Sequence, residues 1–260
     1  MILIKGAGEL ASGIGWRLVR CGWPVVMTEV PQPLAVRRTV AFSSAVYEGT
    51  WTVEGVTARL VTAVEDASAG EIPLLIDAAA DCVARLRPHA VVDAIMAKRN
   101  LGTAITDAPV VVGIGPGFTA GADCHAVVET QRGHWLGRVY YHGAAIANTS
   151  VPAERGGHGE GRIVRAPALG IFAGGVVEIG ARVVAGDLLG HVGDEPVKAS
   201  IGGILRGLIH DFTPVTAGLK IGDVDPICEP ERCHTISDKA LAVAGGVLEA
   251  LLVLKAGGRM

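Results

Sequence analysis

The sequence predicts an α/β protein with a largely parallel sheet in its first half, a small symmetric β module in its second, and a helix at its C-terminus. Three observations carry this. The chain opens on an apolar run that enters a glycine turn and a helix, Met1-Ile-Leu-Ile-Lys-Gly6-Ala-Gly8-Glu-Leu-Ala-Ser12-Gly13. Short apolar runs then alternate with helix-compatible stretches as far as Gly113, and the second half repeats itself at an offset of 32 to 33 residues. With 260 residues and 50% hydrophobic composition, the chain can fill more than one core.

Taken in order, Met1 to Lys5 is the first strand, and Leu10 to Arg20 has helical spacing. Pro24 to Glu29 is a second strand ending in an acid, which completes a βαβ unit. Pro73 to Asp77, Ala90 to Asp93 and Pro109 to Gly113 read as buried strands, with helices expected over 63–69 and 78–87. Between Arg37 and Arg59, alternating Val, Tyr, Thr and Trp broken by Glu48-Gly49 and Glu54-Gly55 predict an inserted β-hairpin. The Arg37-Arg38 pair either points at a phosphate or is simply solvated.

Parallel strands all end along one edge, so the segments that follow them converge on one crevice. Here they are Gly6 to Gly13, Glu29, Asp77, Asp93 to Asn100, and Gly113 to Gly121. Two glycine turns and a helix N-terminus bring bare backbone N–H groups to that crevice, which suits an anionic ligand such as a phosphate. The arrangement is Rossmann-like and assigns residues 1–154 to nucleotide or cofactor binding. The candidate cofactor-binding residues are Gly6, Gly8, Glu9, Ser12, Gly13, Glu29, Lys98, Arg99, Gly115 and Gly117.

The densest polar run, Gly121 to Arg138, follows the second glycine turn and is expected at the crevice mouth. In it Cys124 stands beside His125. A thiol next to an imidazole is held partly as thiolate, the form that attacks sulfur, selenium or a soft metal. Cys124 and His125 are therefore the candidate catalytic residues, with Cys82 as the rival thiol. The bland alternative is a small buried hydrophobe beside a satisfied core histidine. Five cysteines without framework spacing predict free thiols, and the pair Cys228 and Cys233 has no second pair to complete a tetrahedral site, so no metal is expected.

In the second half, Ala166-Pro-Ala-Leu-Gly170-Ile-Phe172 matches Ala199-Ser-Ile-Gly-Gly203-Ile-Leu205, and Val184-Ala-Gly186 matches Thr216-Ala-Gly218. Neither copy can bury its apolar face alone, so the two interlock about a pseudo-two-fold axis. The pattern resembles the barrel-sandwich hybrid of biotinyl and lipoyl carriers and assigns residues 162–226 to such a β domain. The junction Val192 to Val197 is too short for a carrier turn, and Lys198 aligns with the strand after it, so no prosthetic-group arm is expected. Arg155 to Gly161 is the linker, and residues 227–260 hold the C-terminal helix, expected to pack back on the first domain.

A net charge of −3 leaves no basic footprint, so nucleic acid is not an expected partner. No secretory signal is recognisable, which predicts a cytoplasmic protein. Ser237 to Leu254 is almost wholly apolar, but Glu249, Gly245-Gly246 and its length argue against a membrane span. Burial of that helix is compatible with a homodimer.

Lys5-Gly-Ala-Gly-Glu-Leu-Ala-Ser-Gly, Arg37-Arg-Thr-Val-Ala-Phe, Ala97-Lys-Arg-Asn-Leu-Gly-Thr, Gly113-Ile-Gly-Pro-Gly-Phe-Thr-Ala-Gly, Asp123-Cys-His-Ala-Val-Val-Glu-Thr and Arg132-Gly-His together resemble the YqeB family across almost the whole chain. That resemblance implies an accessory protein that matures selenium-dependent molybdenum hydroxylases, by inserting selenium or by handling the pterin. Joined to the residue reading, it yields one expectation. The glycine turns cradle the phosphate of molybdenum cofactor or a related nucleotide, Lys98 or Arg99 balances its charge, and Cys124 handles selenide with His125. The alternatives are an NAD(P)-binding oxidoreductase, with Glu29 on the ribose and His125 or His134 as proton donor, and a non-catalytic cofactor-sensing or docking adaptor.

Overall fold

The computed structural model describes residues 1–148, 154, 157–227 and 229–259. The chain divides into two compact units, one of Met1–Pro33, Ala41–Thr149 and Ile236–Met260, the other of Leu34–Val40 and Ser150–Thr235. The predicted linker lies partly, and Cys228 wholly, outside the described residues.

In the first unit, β1 (Ile2–Lys5) leads into α1 (Glu9–Arg20) and β2 (Val25–Glu29). Then come α2 (Ala45–Glu48), β3 (Thr50–Val53), β4 (Val56–Leu60), β5 (Ile72–Ile76), α3 (Cys82–Leu86), β6 (Ala90–Asp93) and β7 (Val110–Ile114). The short strands β8 (Thr119–Ala120), β9 (Ala126–Val128), β10 (Val139–Tyr140) and β11 (Gly143–Ala144) complete the run. Nine strands form one sheet in the order β10-β9-β7-β6-β1-β2-β5-β4-β3. From β9 to β4 every neighbouring pair is parallel, and the two outermost pairs are antiparallel.

Strands buried on both faces need near-continuous apolar sequence, which β1, β6 and β7 supply. Their alternation separates two layers. Ile4, Met27 and Ile72 approach Gly15 of α1, while Leu3, Val26, Leu75, Val91, Val111 and Val127 build the core on the opposite face. The inserted hairpin is confined to β3 and β4, where Glu54 (φ +42) and Gly55 (φ +81) form its two-residue turn. Residues 38–48 instead make short helical turns, and the helix expected over 63–69 shrinks to one turn at Val64–Asp66.

The C-terminal helix α4 (Asp238–Ala256) is capped by Ser237, whose Oγ accepts the Ala240 N–H at 3.2 Å. It lies along α1 with the same polarity, Ser237 beside Glu9 and Ala240 against Gly13. Val243, Val247 and Leu251 are fully buried, each worth roughly 1.5–3 kcal/mol. Among the described residues, no helix is long and apolar enough to cross a membrane.

The second unit contains β12 (Ile163–Arg165), β13 (Gly170–Ala173), β14 (Arg182–Val183), β15 (Leu188–Val192), β16 (Glu195–Lys198), β17 (Gly203–Leu208), β18 (Pro214–Val215) and β19 (Lys220–Asp225). They form two four-stranded sheets, β12-β19-β17-β14 and β16-β15-β13-β18. Exchanging each strand for the one four places along the chain converts one sheet order into the other. Phe172, Leu189, Leu205 and Ile221 lie in the core of this unit.

The segment 34–40 belongs to this unit, as do residues 227–235. Arg37 is buried and donates to the carbonyls of Arg232 at 2.9 Å and Thr235 at 3.2 Å, Arg38 donates to Leu208 O, and Thr39 to Cys233 O. The arginine pair holds backbone, rather than facing a phosphate or the solvent.

Candidate functional site

The C-terminal ends of the parallel strands of the first unit form one rim, and both glycine turns stand on it. Gly6 (φ +89) donates to Thr28 O at 2.9 Å and passes close to the chain leaving β6, where a Cβ on it would stand 3.2 Å from Ala94 O. Across β6, Gly117 (φ +111) lies against the backbone of Arg99, where a Cβ would fall 2.6 Å from its Cα. Gly115 fits against Thr130. The loop that bears the exposed Lys98 and Arg99 is thus seated between the two turns, with Met96 (φ +64) and Lys98 (φ +62) in the left-handed region.

Gly8 behaves differently. It caps α1 at an ordinary φ of −69°, and a Cβ on it would meet nothing within 4 Å. Next to it, the Ala7 N–H donates to Glu29 Oε2 at 2.8 Å, and the Val30 N–H donates to the other oxygen at 2.9 Å. Burial pushes the Glu29 carboxyl above its usual range, and the two N–H donors partly offset this.

Three other candidates serve the fold. Ser12 is fully buried, donating to Ala7 O at 3.0 Å and accepting the Phe42 N–H at 2.7 Å. Gly13 faces α4, where a Cβ would stand 2.9 Å from that of Ala240. Glu9 accepts the Ser237 hydroxyl at 2.7 Å and joins the N-termini of α1 and α4.

Several rim residues were not among the candidate binding or catalytic residues. Lys5, only 6% exposed, donates from Nζ to Thr103 Oγ1 at 2.9 Å and to Asp107 Oδ2 at 3.3 Å. The Thr103 hydroxyl donates on to Asp93 Oδ2 at 2.6 Å, and Asp93 lies opposite Lys5 in the β1–β6 register. This network ties the 94–107 loop to the rim. A lysine closing an otherwise apolar strand was the available signal. Glu129 is fully buried and accepts the N–H groups of Thr130, Gln131 and Ile146. Lys239, in the first turn of α4, has its ammonium pushed down by burial and Arg132, against the pull of Glu9, Glu129 and Asp238. Farther along the rim, Leu60, Val61, Thr62, Leu75 and Ile76 line an open pocket of about 410 Å³.

Cys124 and His125 are not at this rim. A strand that runs parallel to β7 must start at the opposite edge, so the chain from Gly115 crosses back before β9 begins. His125 consequently sits beside Val111, its Nδ1 accepting the Val111 N–H at 2.9 Å. Four extended residues, roughly 13 Å, separate Val111 from Gly115. Cys124 is fully buried among Leu3, Val91 and Phe118, and burial pushes its thiol up to about 11. That disfavours the thiolate on which its expected role depends. Cys82 fares no better, with burial and Asp77 raising it to about 12. Among the described residues, no group of three or more His, Cys, Asp or Glu is placed to hold a metal ion.

No family model matches the sequence. Among solved structures, the succinylglutamatedesuccinylase/aspartoacylase from Rhodobacter sphaeroides is 15% identical and covers 87% of this chain and 88% of its own, with a TM-score of 0.26 that carries no argument about fold or activity. Among curated proteins, the chain is similar to the uncharacterized protein YqeB of Escherichia coli (strain K12), with 49% identity over 258 residues. The match takes in 98% of this chain and 48% of that protein, so the chain spans about half the length of the curated relative it matches. Identity at this level across 98% of the chain supports the resemblance read from the motifs.

Proposed function

We propose that this protein binds a phosphorylated nucleotide-type cofactor at the rim between β1 and β6, and that the ligand is molybdenum cofactor or a close relative handled for a selenium-dependent molybdenum hydroxylase. The order β5-β2-β1-β6-β7-β9 has the doubly wound pattern of a Rossmann-like sheet, whose ligands sit where the winding reverses, here between β1 and β6. The second unit reads as a barrel-sandwich-hybrid-like module, on the exchange of its two sheet orders. The hydroxylase partner, the selenium connection and a cytoplasmic location rest on the family resemblance alone.

The observation that carries the ligand reading is Gly8. Gly6, Gly13, Gly115 and Gly117 each have a neighbour that excludes a side chain, whereas Gly8 has none and a backbone conformation open to any residue. Glycine serves there as a helix cap, and close approach of a phosphate to the N-terminus of α1 is a further reason for the open space beside it. In this reading the residues suit such a group: backbone N–H groups of the turn bind phosphate, Glu29 receives ribose hydroxyls, and the rim pocket has room for a ring. Lys98 and Arg99 supply positive charge.

The test is calorimetric titration of the purified protein with ADP, NADH and released molybdenum cofactor. Wild type is expected to bind a phosphorylated ligand, and Gly8→Val to lose at least about tenfold in affinity while costing no more than about 1 kcal/mol of stability, the worth of a helix cap. Equal affinity in the variant would defeat the reading. Glu29 favours the NAD(P) alternative, which shares this site. Hydride chemistry also needs a proton donor near the rim. His125 lies at the far edge, which leaves His134, in the loop after β9, to fill that role. Tight NADH binding with turnover would select this alternative.

A further inference from the structure

We propose that residues 95–102 form a hinged flap, which lifts from the two glycine turns to admit a phosphorylated ligand and closes on it with Lys98 and Arg99. Its occupant is the ligand proposed for the rim, so the flap rests on that reading. Between β6 and β7 the chain forms neither helix nor strand. Long connections of that kind are uncommon in a compact fold, and most are functional.

One buried carboxylate pins both ends of the flap. Asp93, 2% exposed, accepts the Ile95 N–H on Oδ1 at 3.2 Å and the Thr103 hydroxyl on Oδ2 at 2.6 Å. Lys5 secures the second end through Thr103 and Asp107. There the Asn100 side chain closes a turn, accepting the N–H groups of Gly102 and Thr103 and donating to Thr103 O at 2.7 Å. Compact surface loops whose ends are held together in this way frequently serve a function.

Between the pins, little holds the segment down. Among the described residues, the backbone of Met96 to Leu101 takes part in no hydrogen bond. Its apolar side chains do not anchor it either, with Ile95 38% and Leu101 54% exposed. The seat is bare glycine backbone, at Gly6 for Ala94 and Ile95 and at Gly117 for Arg99. Met96 and Lys98 are kept in the left-handed region although neither is glycine, which adds strain to the seated form. Few bonds, exposed apolar groups and strained backbone mark a segment that opens at low cost.

Charge selects what the flap closes on. Lys98 and Arg99 are exposed, and among the described residues neither takes part in an ion pair. Two uncommitted cations beside the bare N–H groups of a glycine turn suit an anion, and a phosphate at the N-terminus of α1 attracts both.

Timed trypsin digestion of the full chain, read by mass spectrometry, tests this, because the protease reaches the bonds after Lys98 and Arg99 only when the flap leaves its seat. Wild type is expected to be cut there while the bonds after Arg17 and Lys239, inside α1 and α4, survive. Saturating ADP or NADH is expected to slow that cut at least about fivefold. Thr103→Val and Asn100→Ala, which loosen the second pin, are each expected to speed it about tenfold in the free protein. If calorimetry shows ADP or NADH bound and the cut is as fast as without it, the flap is overturned and the ligand site stands. If no phosphorylated ligand binds, the ligand site falls and the hinge is judged on the free protein. There, a wild type that resists cleavage after Lys98 and Arg99, or equal rates in wild type and both variants, overturns it.

Discussion

At the end of β2, Glu29 is a half-buried carboxylate beside the first glycine turn. Its raised pKa has a definite sign in stability. The folded state favours the protonated form, so the stabilisation is complete below the ordinary carboxylate value and is lost as pH rises through the raised one. Glu29→Gln is therefore expected to flatten the dependence of Tm on pH across that window and to raise Tm at neutral pH. It should weaken ligand binding at the same time. A thermal-shift series in pH checks this, and an unchanged slope would show that Glu29 titrates as an ordinary exposed acid. Glu29 was legible in the sequence because an acid directly after a buried strand has few places to go but the rim. Cys124 misled because chemistry was inferred from sequence neighbours, whereas its environment is set by the strand that His125 leads into.

The α1–α4 pair shows what glycine does at the scale of an element. Gly8 and Gly13 lie in one motif, yet they answer to different constraints. A side chain at Gly13 would strike Ala240, so Gly13→Val should force the helices apart and cost about 1–3 kcal/mol, read as a lower Tm. Gly8→Val should cost no more than a weakened helix cap, about 1 kcal/mol. Strands β1, β2, β6 and β7 were legible because continuous apolar runs bounded by glycine or acid leave little choice of structure. The stretch 63–69 read as helical from its Ala, Val and Glu content, but one turn is all the chain forms between Leu60 and Ile72. Residues 38–48 escaped because the carbonyls that Arg37, Arg38 and Thr39 hold come from distant segments.

For the whole molecule, the repeat in the second half was the most readable feature, because equivalent glycines and apolar residues recur at a nearly constant offset. The pairing of α1 with α4 was the least readable. No periodicity within either helix names its partner, 228 residues away in the Glu9–Ser237 contact. Removing residues 236–260 should leave the α1 face of Gly13 bare and the Glu54 carboxylate without the Ile236 N–H that it accepts at 2.6 Å. The shortened chain is expected to bind a hydrophobic dye strongly and to lose cooperative melting of the first unit. Retention of a sharp transition would show that α4 is dispensable.

The parallel seating of α1 and α4 also sets a timetable for synthesis. The glycine turn leaves the ribosome more than 200 residues before the helix that braces it, Ser237 lying 228 residues after Glu9. Throughout translation of the intervening β module, the growing polypeptide carries an unfinished α/β sheet whose α1 flank awaits its cover. The rim of the first sheet is complete only after the module that follows it in sequence has been made.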